Sequence, residues 1–148
     1  MKRIIYSIYV DIPAPEHYGK SKNKNDSIEK ANVTINAFKE HYDRLVASKK
    51  DYADSINVSF KMYEYDKQYK TFEKNFAKDF PELTGYEVIN FYKIHILNEL
   101  AKDYDEILYL DFDAIPLTKD NFFDAWDLSK GICVYDNNDA VIHSIKVN

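Results

Sequence analysis

The sequence has little cysteine and no long hydrophobic run. Its single cysteine, Cys133, excludes an internal disulfide and a metal site built from several cysteines. No apolar stretch approaches the roughly 20 residues that a membrane-spanning helix needs. The start, residues 1–13, has a basic opening but only a short apolar stretch, without the cleavage pattern of a signal peptide. We therefore expect no transmembrane segment, and one free cysteine suits the reducing cytoplasm.

The chain also has fewer positively charged than negatively charged side chains. Twenty lysines and arginines stand against 25 aspartates and glutamates, which leaves a net charge of -5. A nucleic acid held by its phosphates is therefore disfavoured as a partner. The chain has 148 residues and 45% hydrophobic content, enough for one globular domain with a sizeable core. We expect a single domain spanning residues 1–148.

Hydrophobic periodicity predicts alternating strands and helices. Runs rich in β-branched and aromatic residues predict strands, whereas apolar residues three and four apart predict helices. The predicted elements are, in chain order, a strand at 3–10, a helix at 26–45, a strand at 56–66, a helix at 67–80, a helix beginning at 84 and a strand at 106–110. This order is typical of an α/β domain with a mostly parallel sheet flanked by helices, whose ligands bind outside the carboxyl ends of the strands.

Four details of the pattern are more specific. Thr84 and Glu87 have the spacing of a capping box at a helix start. The strand at 106–110 lacks polar alternation, which is the mark of a parallel strand covered on both faces. Asp120 is expected to cap a short helix. Residues 131–147 predict two further strands about an Asn-rich turn.

Two aspartates come directly after the predicted strand at 106–110, in the stretch ILYLDFDAIP. Because side chains alternate along a strand, Asp111 and Asp113 are expected on one side and Phe112 on the other. At roughly 6 Å and an effective dielectric near 20, the repulsion between the carboxylates is about 2–3 kcal/mol. A cation such as Mn²⁺ or Mg²⁺ would offset it and take substrate phosphate as a further ligand. A solvated turn or capping pair is the alternative, and the spacing leaves both open.

The segment DYDEILYLDFDAIPLTKDNFFDAW, residues 103–126, resembles the Asp-x-Asp region of GT-A type glycosyltransferases, especially the glycogenin-like and bacterial galactosyltransferase group. FYKIHIL, residues 91–97, is similar to a helix stretch of that group, and the first strand with its following loop resembles the uridine-contacting region. The resemblance implies a Rossmann-like GT-A nucleotide-diphospho-sugar transferase fold. It also implies a metal-dependent hexosyltransferase that moves a sugar from a nucleotide-diphosphate donor, with a UDP-sugar favoured, to an unknown hydroxyl on a glycan or protein.

The resemblance further implies roles for single residues. Asp113 would bind the metal directly, Asp111 would contact the metal or the ribose, and Lys93 would meet the diphosphate or donor sugar. These three form the expected catalytic set. Contacts with the nucleotide sugar are expected at Tyr9, Val10, Asp11, Tyr18, Lys93, Asp111, Phe112 and Asp113.

Residue type alone allows other readings of these positions. Tyr9 or Tyr18 can stack on a base, and Asp11 can accept a hydrogen bond from its edge. Read without the resemblance, Lys93 is a surface lysine, Tyr9 a core residue and Asp11 a loop cap.

The chain departs from the group after the aspartates. Only 35 residues follow Asp113, whereas members of the group continue into an acceptor-binding half. We expect that half to be short or missing, so a non-catalytic nucleotide-sugar-binding or interaction module remains the alternative, as does a homo-oligomer in which a second copy supplies the missing wall. Phosphatases of the haloacid dehalogenase type also place Asp-x-Asp after a strand, but theirs is the first strand and continues with Gly-Thr, not Ala114-Ile115.

Overall fold

The computed structural model describes residues 1–13, 15–16 and 24–131. The elements are β1 (Arg3–Tyr9), α1 (Lys24–Glu40), α2 (Tyr42–Ser55), β2 (Ser59–Glu64), α3 (Lys67–Asp79), α4 (Gly85–Leu100), β3 (Glu106–Tyr109), α5 (Phe122–Ala125) and a 3₁₀ turn (Leu128–Lys130). The predicted alternation of strands and helices is therefore confirmed. Tyr18 lies outside the described residues, as does the strand pair predicted at residues 131–147 apart from Gly131.

The three described strands form one parallel sheet in the order β2-β1-β3. Tyr6 of β1 lies opposite Lys61 on one side and Tyr109 on the other. Because all three strands run the same way, their carboxyl ends meet at a single edge. This arrangement confirms an α/β fold with a small parallel sheet flanked by helices, which is compatible with a Rossmann-like topology.

Helices cover both faces of the sheet. Alternate residues of β1 enter two apolar clusters, as the two-residue period of a strand requires. Tyr6 and its neighbours of the same parity pack with Tyr92 of α4 and Tyr69 of α3. Ile5 packs on the opposite face with Ala53 of α2 and Phe123 of α5. The central strand is consequently the most deeply buried element.

The last strand is less buried than its sequence suggests. Its residues contact the clusters on both faces, as predicted, with Ile107 on one side and Leu108 on the other. All four residues of β3 are nevertheless only half-buried, because in the described part of the chain β3 is an edge strand. The strand that is covered on both faces is β1, in which five of seven residues are buried.

The helix predicted at residues 26–45 is in fact two helices. The backbone departs from helical geometry at His41, with φ -105° and ψ 11°, and α2 then continues to Ser55. The buried stripe of α2 includes Lys49, so the apolar pattern in the sequence stops at Leu45 although the helix does not. None of the described helices is both long enough and apolar enough to cross a membrane.

Of the two helix caps predicted from the sequence, the one at Thr84 is confirmed and the one at Asp120 is wrong. The backbone N–H of Thr84 donates to Glu87 Oε2 at 2.7 Å and that of Glu87 donates to Thr84 Oγ1 at 3.3 Å, which is the predicted capping box. The short helix α5 is capped by Asn121, whose Oδ1 accepts from the Phe123 N–H at 3.1 Å, and not by Asp120. The carbonyl of Asp120 instead accepts from a tyrosine hydroxyl of α2, one residue before the cap.

Gly85, the first residue of α4, allows the chain after β1 to pass close to this helix. A Cβ at this position would lie 2.6 Å from Ile12 Cδ1 and 2.8 Å from the backbone oxygen of Glu16. Both distances are shorter than van der Waals contact. The missing side chain of Gly85 therefore brings the segment that leaves β1 against the start of α4.

We expect Gly85→Ala to lower the free energy of unfolding by about 1–3 kcal/mol, because the added methyl group is overpacked against backbone. The intrinsic helix preference of alanine acts in the opposite direction. Urea unfolding at neutral pH measures the change. Asn98→Ala, at an exposed position of the same helix, is the control and should alter stability by less than about 0.5 kcal/mol. A Gly85→Ala protein as stable as the control would contradict the close approach.

Candidate functional site

The two aspartates lie just beyond the carboxyl end of β3, at the edge where the parallel strands finish. The Leu110 N–H still donates to the Tyr6 carbonyl at 3.0 Å, and a turn closes from Ala114 N–H to the Asp111 carbonyl at 3.0 Å. Phe112 is 5% exposed, whereas Asp111 and Asp113 are exposed. The predicted alternation, with both carboxylates away from the core and the ring inside it, is therefore confirmed.

Both aspartates face a cleft of about 380 Å³ between α1 and α4. It is lined by Ile8, Tyr9, Val10, Lys30, Ala31, Thr34, Ile35, Phe38, Tyr86, Ile89, Asn90, Lys93, Tyr109, Asp111, Phe112 and Asp113. Larger depressions lie on the α3 surface and at the amino ends of the strands, away from this edge. The cleft is thus the cavity at the place where ligands of parallel α/β sheets bind.

Six of the eight residues expected to contact a nucleotide sugar line this cleft, namely Tyr9, Val10, Lys93, Asp111, Phe112 and Asp113. Asp11 is not part of its lining and forms an ion pair with Lys39 of α1 at 3.1 Å. Tyr18 lies outside the described residues. The structure therefore brings six of the expected nucleotide-sugar-binding residues to one cleft, while their roles, and that of Asp11 in base recognition, stay predictions.

Asp111 is held by two donors on one oxygen. Lys93 Nζ donates to Asp111 Oδ1 at 2.8 Å, and the Tyr109 hydroxyl donates to the same atom at 2.6 Å. Partial burial would raise the pKa of Asp111, but these hydrogen bonds, with the charges of Lys93 and Lys49, outweigh it and hold the pKa below its ordinary value. Burial and the bond to Asp111 raise the pKa of Tyr109. Asp111 is therefore ionised and oriented.

Asp113 differs from Asp111 in its surroundings. It is exposed to the cleft, and in the part of the chain that the structure describes its carboxylate has no hydrogen-bond or ion-pair partner. A carboxylate without a protein partner is ready to accept an external ligand. This agrees with its expected role as the more direct metal ligand, which stays a prediction.

Lys49, a residue that the sequence argument missed, lies beneath the aspartates. Its side chain is fully buried, and its Nζ donates to the Phe112 carbonyl at 2.6 Å and to the Leu45 carbonyl at 3.1 Å. The ammonium also lies 5.4 Å from the centre of the Phe112 ring. Burial lowers the pKa of Lys49, and attraction to Asp113 and Asp111 opposes that change. Lys49 thus fixes the peptide between the two carboxylates.

These lysines change the charge balance expected at the site. Lys93 and Lys49 supply two ammonium groups against the two carboxylates of Asp111 and Asp113. At an effective dielectric near 20, a lysine 4 Å from a carboxylate contributes about 4 kcal/mol of attraction, which exceeds the repulsion within the pair. The protein itself therefore offsets the repulsion, and the repulsion alone does not require a cation.

An aromatic cluster contributes three of its rings, Tyr9, Phe38 and Phe112, to the cleft wall. The Tyr9 ring stacks on Phe112 with centroids 4.5 Å apart, and Phe38 and Tyr42 pack around the pair. Phe112 thus covers one face of Tyr9, so stacking on a base would require the other face. Burial raises the pKa of Tyr9 to about 12. Tyr9 consequently serves packing as well as lining the cleft.

Two cleft residues on α4 were also missed. Tyr86 and Asn90 precede Lys93 by seven and three residues, so the three share one helical stripe that faces the cleft. Tyr86 is 49% exposed. The sequence contains this spacing, but only the position of α4 over the sheet edge shows which stripe faces the cavity. An aromatic ring, an amide and an ammonium therefore follow one another along this wall.

The chemistry of the donors decides which metal would suit the site. Asp111 and Asp113 offer oxygen ligands, and among the described residues no cluster of three or more His, Cys, Asp or Glu side chains could hold a metal ion. Such a set does not fit an all-protein cage. It fits Mn²⁺ or Mg²⁺, which use one or two carboxylates and complete their coordination with water and substrate phosphate.

The low pKa of Asp111 predicts a contribution to stability that acid removes. Since the unfolded chain takes up this proton first, the contribution is present above the ordinary aspartate pKa of about 4 and is lost as the pH falls through the lower folded value. Urea unfolding of Asp111→Asn between pH 3 and 7 should show a shallower acid slope than wild type. Asp51→Asn, at an exposed position of α2, is the control. Equal slopes for wild type and Asp111→Asn would contradict the pairing.

Comparison with known proteins gives no match at any of three levels. No protein family matches the chain, and no curated protein and no solved structure does so. The likeness of residues 103–126 to glycosyltransferases therefore stays a proposal that depends on the residues and their geometry.

Proposed function

We propose that the chain binds a nucleotide-diphosphate sugar together with a divalent cation and transfers the sugar to a hydroxyl acceptor. The observation that carries this proposal is the arrangement of Asp113 and Lys93 in the 380 Å³ cleft at the carboxyl edge of the parallel sheet. Among the described residues, the Asp113 carboxylate has no hydrogen-bond or ion-pair partner and lines the same cleft as the Lys93 ammonium group, so the cleft offers oxygen ligands to a cation and a positive charge to a phosphate. The resemblance of the surrounding sequence favours a UDP-sugar.

The residues of the cleft have distinct tasks in this proposal. When bound, Mn²⁺ or Mg²⁺ would neutralise charge on the diphosphate as it leaves. Lys93 adds a second positive charge at the leaving group from its position on α4. Tyr109 keeps the Asp111 carboxylate oriented, and Lys49 holds the peptide at Phe112 in place. The site is therefore built to stabilise a leaving diphosphate.

The lining of the cleft supports a ligand with an apolar and an anionic part. Tyr9, Val10 and Phe38 line it together with the charged residues Lys93 and Asp111. A volume of about 380 Å³ lies within the range of small-molecule sites, roughly 300–1,000 Å³. A nucleoside diphosphate has this polarity, with a flat base joined through a sugar to two phosphoryl groups.

A binding module without catalysis is the second candidate, and one observation favours it. In the described residues, Asp111 and Asp113 are the only carboxylates that line the cleft, and no histidine lines it. If both aspartates serve the cation, the described part of the cleft offers no separate group to take the proton of an acceptor hydroxyl. The two candidates share their ligand and differ only in the transfer step.

Binding is tested by a thermal shift with Mn²⁺ and UDP. We expect UDP to stabilise the wild type only when Mn²⁺ is present, by about 2.7 kcal/mol at a ligand concentration 100 times Kd. Asp113→Asn should lose this protection because a carboxylate ligand is gone. Asp103→Asn, at an exposed position outside the cleft, is the control and should keep it. A shift of the same size in Asp113→Asn would count against the site.

Catalysis is tested by following release of the sugar. We expect a UDP-hexose to be hydrolysed or transferred in the presence of Mn²⁺ by wild type, and Lys93→Met to lower the rate by about 10²-fold or more through loss of charge at the leaving group. Chromatography of the nucleotide products measures the release. Donor binding without sugar release over many hours would reject the transferase and leave the binding module.

A further inference from the structure

A further inference concerns Lys93 and deepens the proposed function, on which it rests. We propose that Lys93 exchanges partners, from Asp111 in the free protein to the diphosphate in the complex, so that the site takes up the cation and the diphosphate as one neutral unit. Each of the two ligands then binds weakly by itself and strongly with the other.

The charges of the free site provide the first argument. Asp111 and Asp113 are balanced by Lys93 and Lys49. A divalent cation arriving alone would meet Lys93 and Lys49 at the aspartates and a third ammonium group, Lys30, elsewhere on the cleft wall. A diphosphate arriving alone would meet two carboxylates. The diphosphate of a nucleotide sugar has one ionised oxygen on each phosphoryl group, so with a divalent cation it forms a neutral unit that leaves this balance unchanged. UDP has one further ionised oxygen on its terminal phosphate, so with the cation it forms a unit with a charge of about -1. A partly buried site favours the neutral addition because charge is costly there.

The exposure of the two lysines decides which one moves. Lys49 is fully buried and bonded to two backbone carbonyls, so it has no route to a ligand in the cleft. The Lys93 side chain is 28% exposed and lines the cleft at the end of a flexible stem. Its only hydrogen bond from Nζ to another described side chain is the one to Asp111 Oδ1. Of the two lysines at the aspartates, Lys93 is therefore the mobile one and Lys49 the fixed one.

Tyr109 holds the Asp111 carboxylate in place while Lys93 changes partners. Its hydroxyl donates to Asp111 Oδ1, the same oxygen that Lys93 uses. When Lys93 leaves, this bond remains and keeps the carboxylate in place, with its second oxygen available to a ligand. The Tyr109 ring also lies 5.2 Å from Lys93 Nζ, within the range of a cation–π contact. We expect this contact between the Tyr109 ring and the Lys93 ammonium to persist during the exchange.

The test measures Mn²⁺ affinity from the electron paramagnetic resonance signal of free Mn²⁺, with and without saturating UDP, after subtraction of the Mn²⁺ that UDP binds in a sample without protein. In wild type we expect UDP to tighten Mn²⁺ binding by about 10-fold or more, and by linkage Mn²⁺ to tighten UDP binding by the same factor. Lys93→Met should bind Mn²⁺ alone more tightly than wild type, because the competing ammonium is gone, and should bind UDP in Mn²⁺ more weakly. Lys74→Met, at an exposed position of α3, should match wild type in both.

The outcomes separate this inference from the proposed function. If wild type binds Mn²⁺ and UDP independently, or if Lys93→Met binds Mn²⁺ alone no more tightly than wild type, the exchange is wrong while the binding site stands. If wild type binds neither ligand, both proposals fail. Lys93→Gln serves as a second variant should Lys93→Met fold poorly, and the wild-type coupling tests the exchange without any variant.

Discussion

The candidate site depends on one hydrogen bond, from the buried ammonium of Lys49 to the carbonyl of Phe112. This bond anchors the peptide between the two aspartates to α2, and it places a positive charge beneath carboxylates that face the cleft. An isolated charge inside a protein is strongly unfavourable, so Lys49 needs both the carbonyls and the nearby Asp111 and Asp113. The buried Lys49 therefore links the core to the site.

The parallel sheet supplies the rest of the geometry. β1 places Tyr9 and Val10 at its carboxyl end, and β3 places Tyr109 and then Asp111 beside them. Residues from segments far apart in the chain thus meet at one edge of the sheet. Lys93 reaches this edge from α4 and donates to Asp111. The cleft holds an ammonium group, an oriented carboxylate and a second carboxylate that has no hydrogen-bond or ion-pair partner within residues 1–13, 15–16 and 24–131. Together they form a set that suits a cation and a phosphate ester.

Much of this architecture follows from local patterns in the sequence. The order of strands and helices, the capping box at Thr84 and the opposite orientation of Phe112 and its flanking aspartates all depend on short-range periodicity, and all are present. Three other features depend on tertiary contacts that short-range patterns do not show: the burial of Lys49, the cap of α5 and the side of α4 that lines the cleft. The apolar stripe of α2 contains Lys49, which a hydrophobic pattern reads as a surface position. The residue that caps α5 is Asn121 because Asp120 is engaged through its carbonyl by α2. Only the assembled structure shows which side of α4 faces the cleft.

The most direct test of the central claim is a crystal structure of the protein with Mn²⁺ and UDP, using anomalous scattering to locate the metal. The account predicts a manganese peak at the carboxylates of Asp111 and Asp113, with Lys93 on the diphosphate and Lys49 still bonded to the Phe112 carbonyl. A cleft without manganese, in which Lys93 remains on Asp111 at saturating ligand, would contradict it.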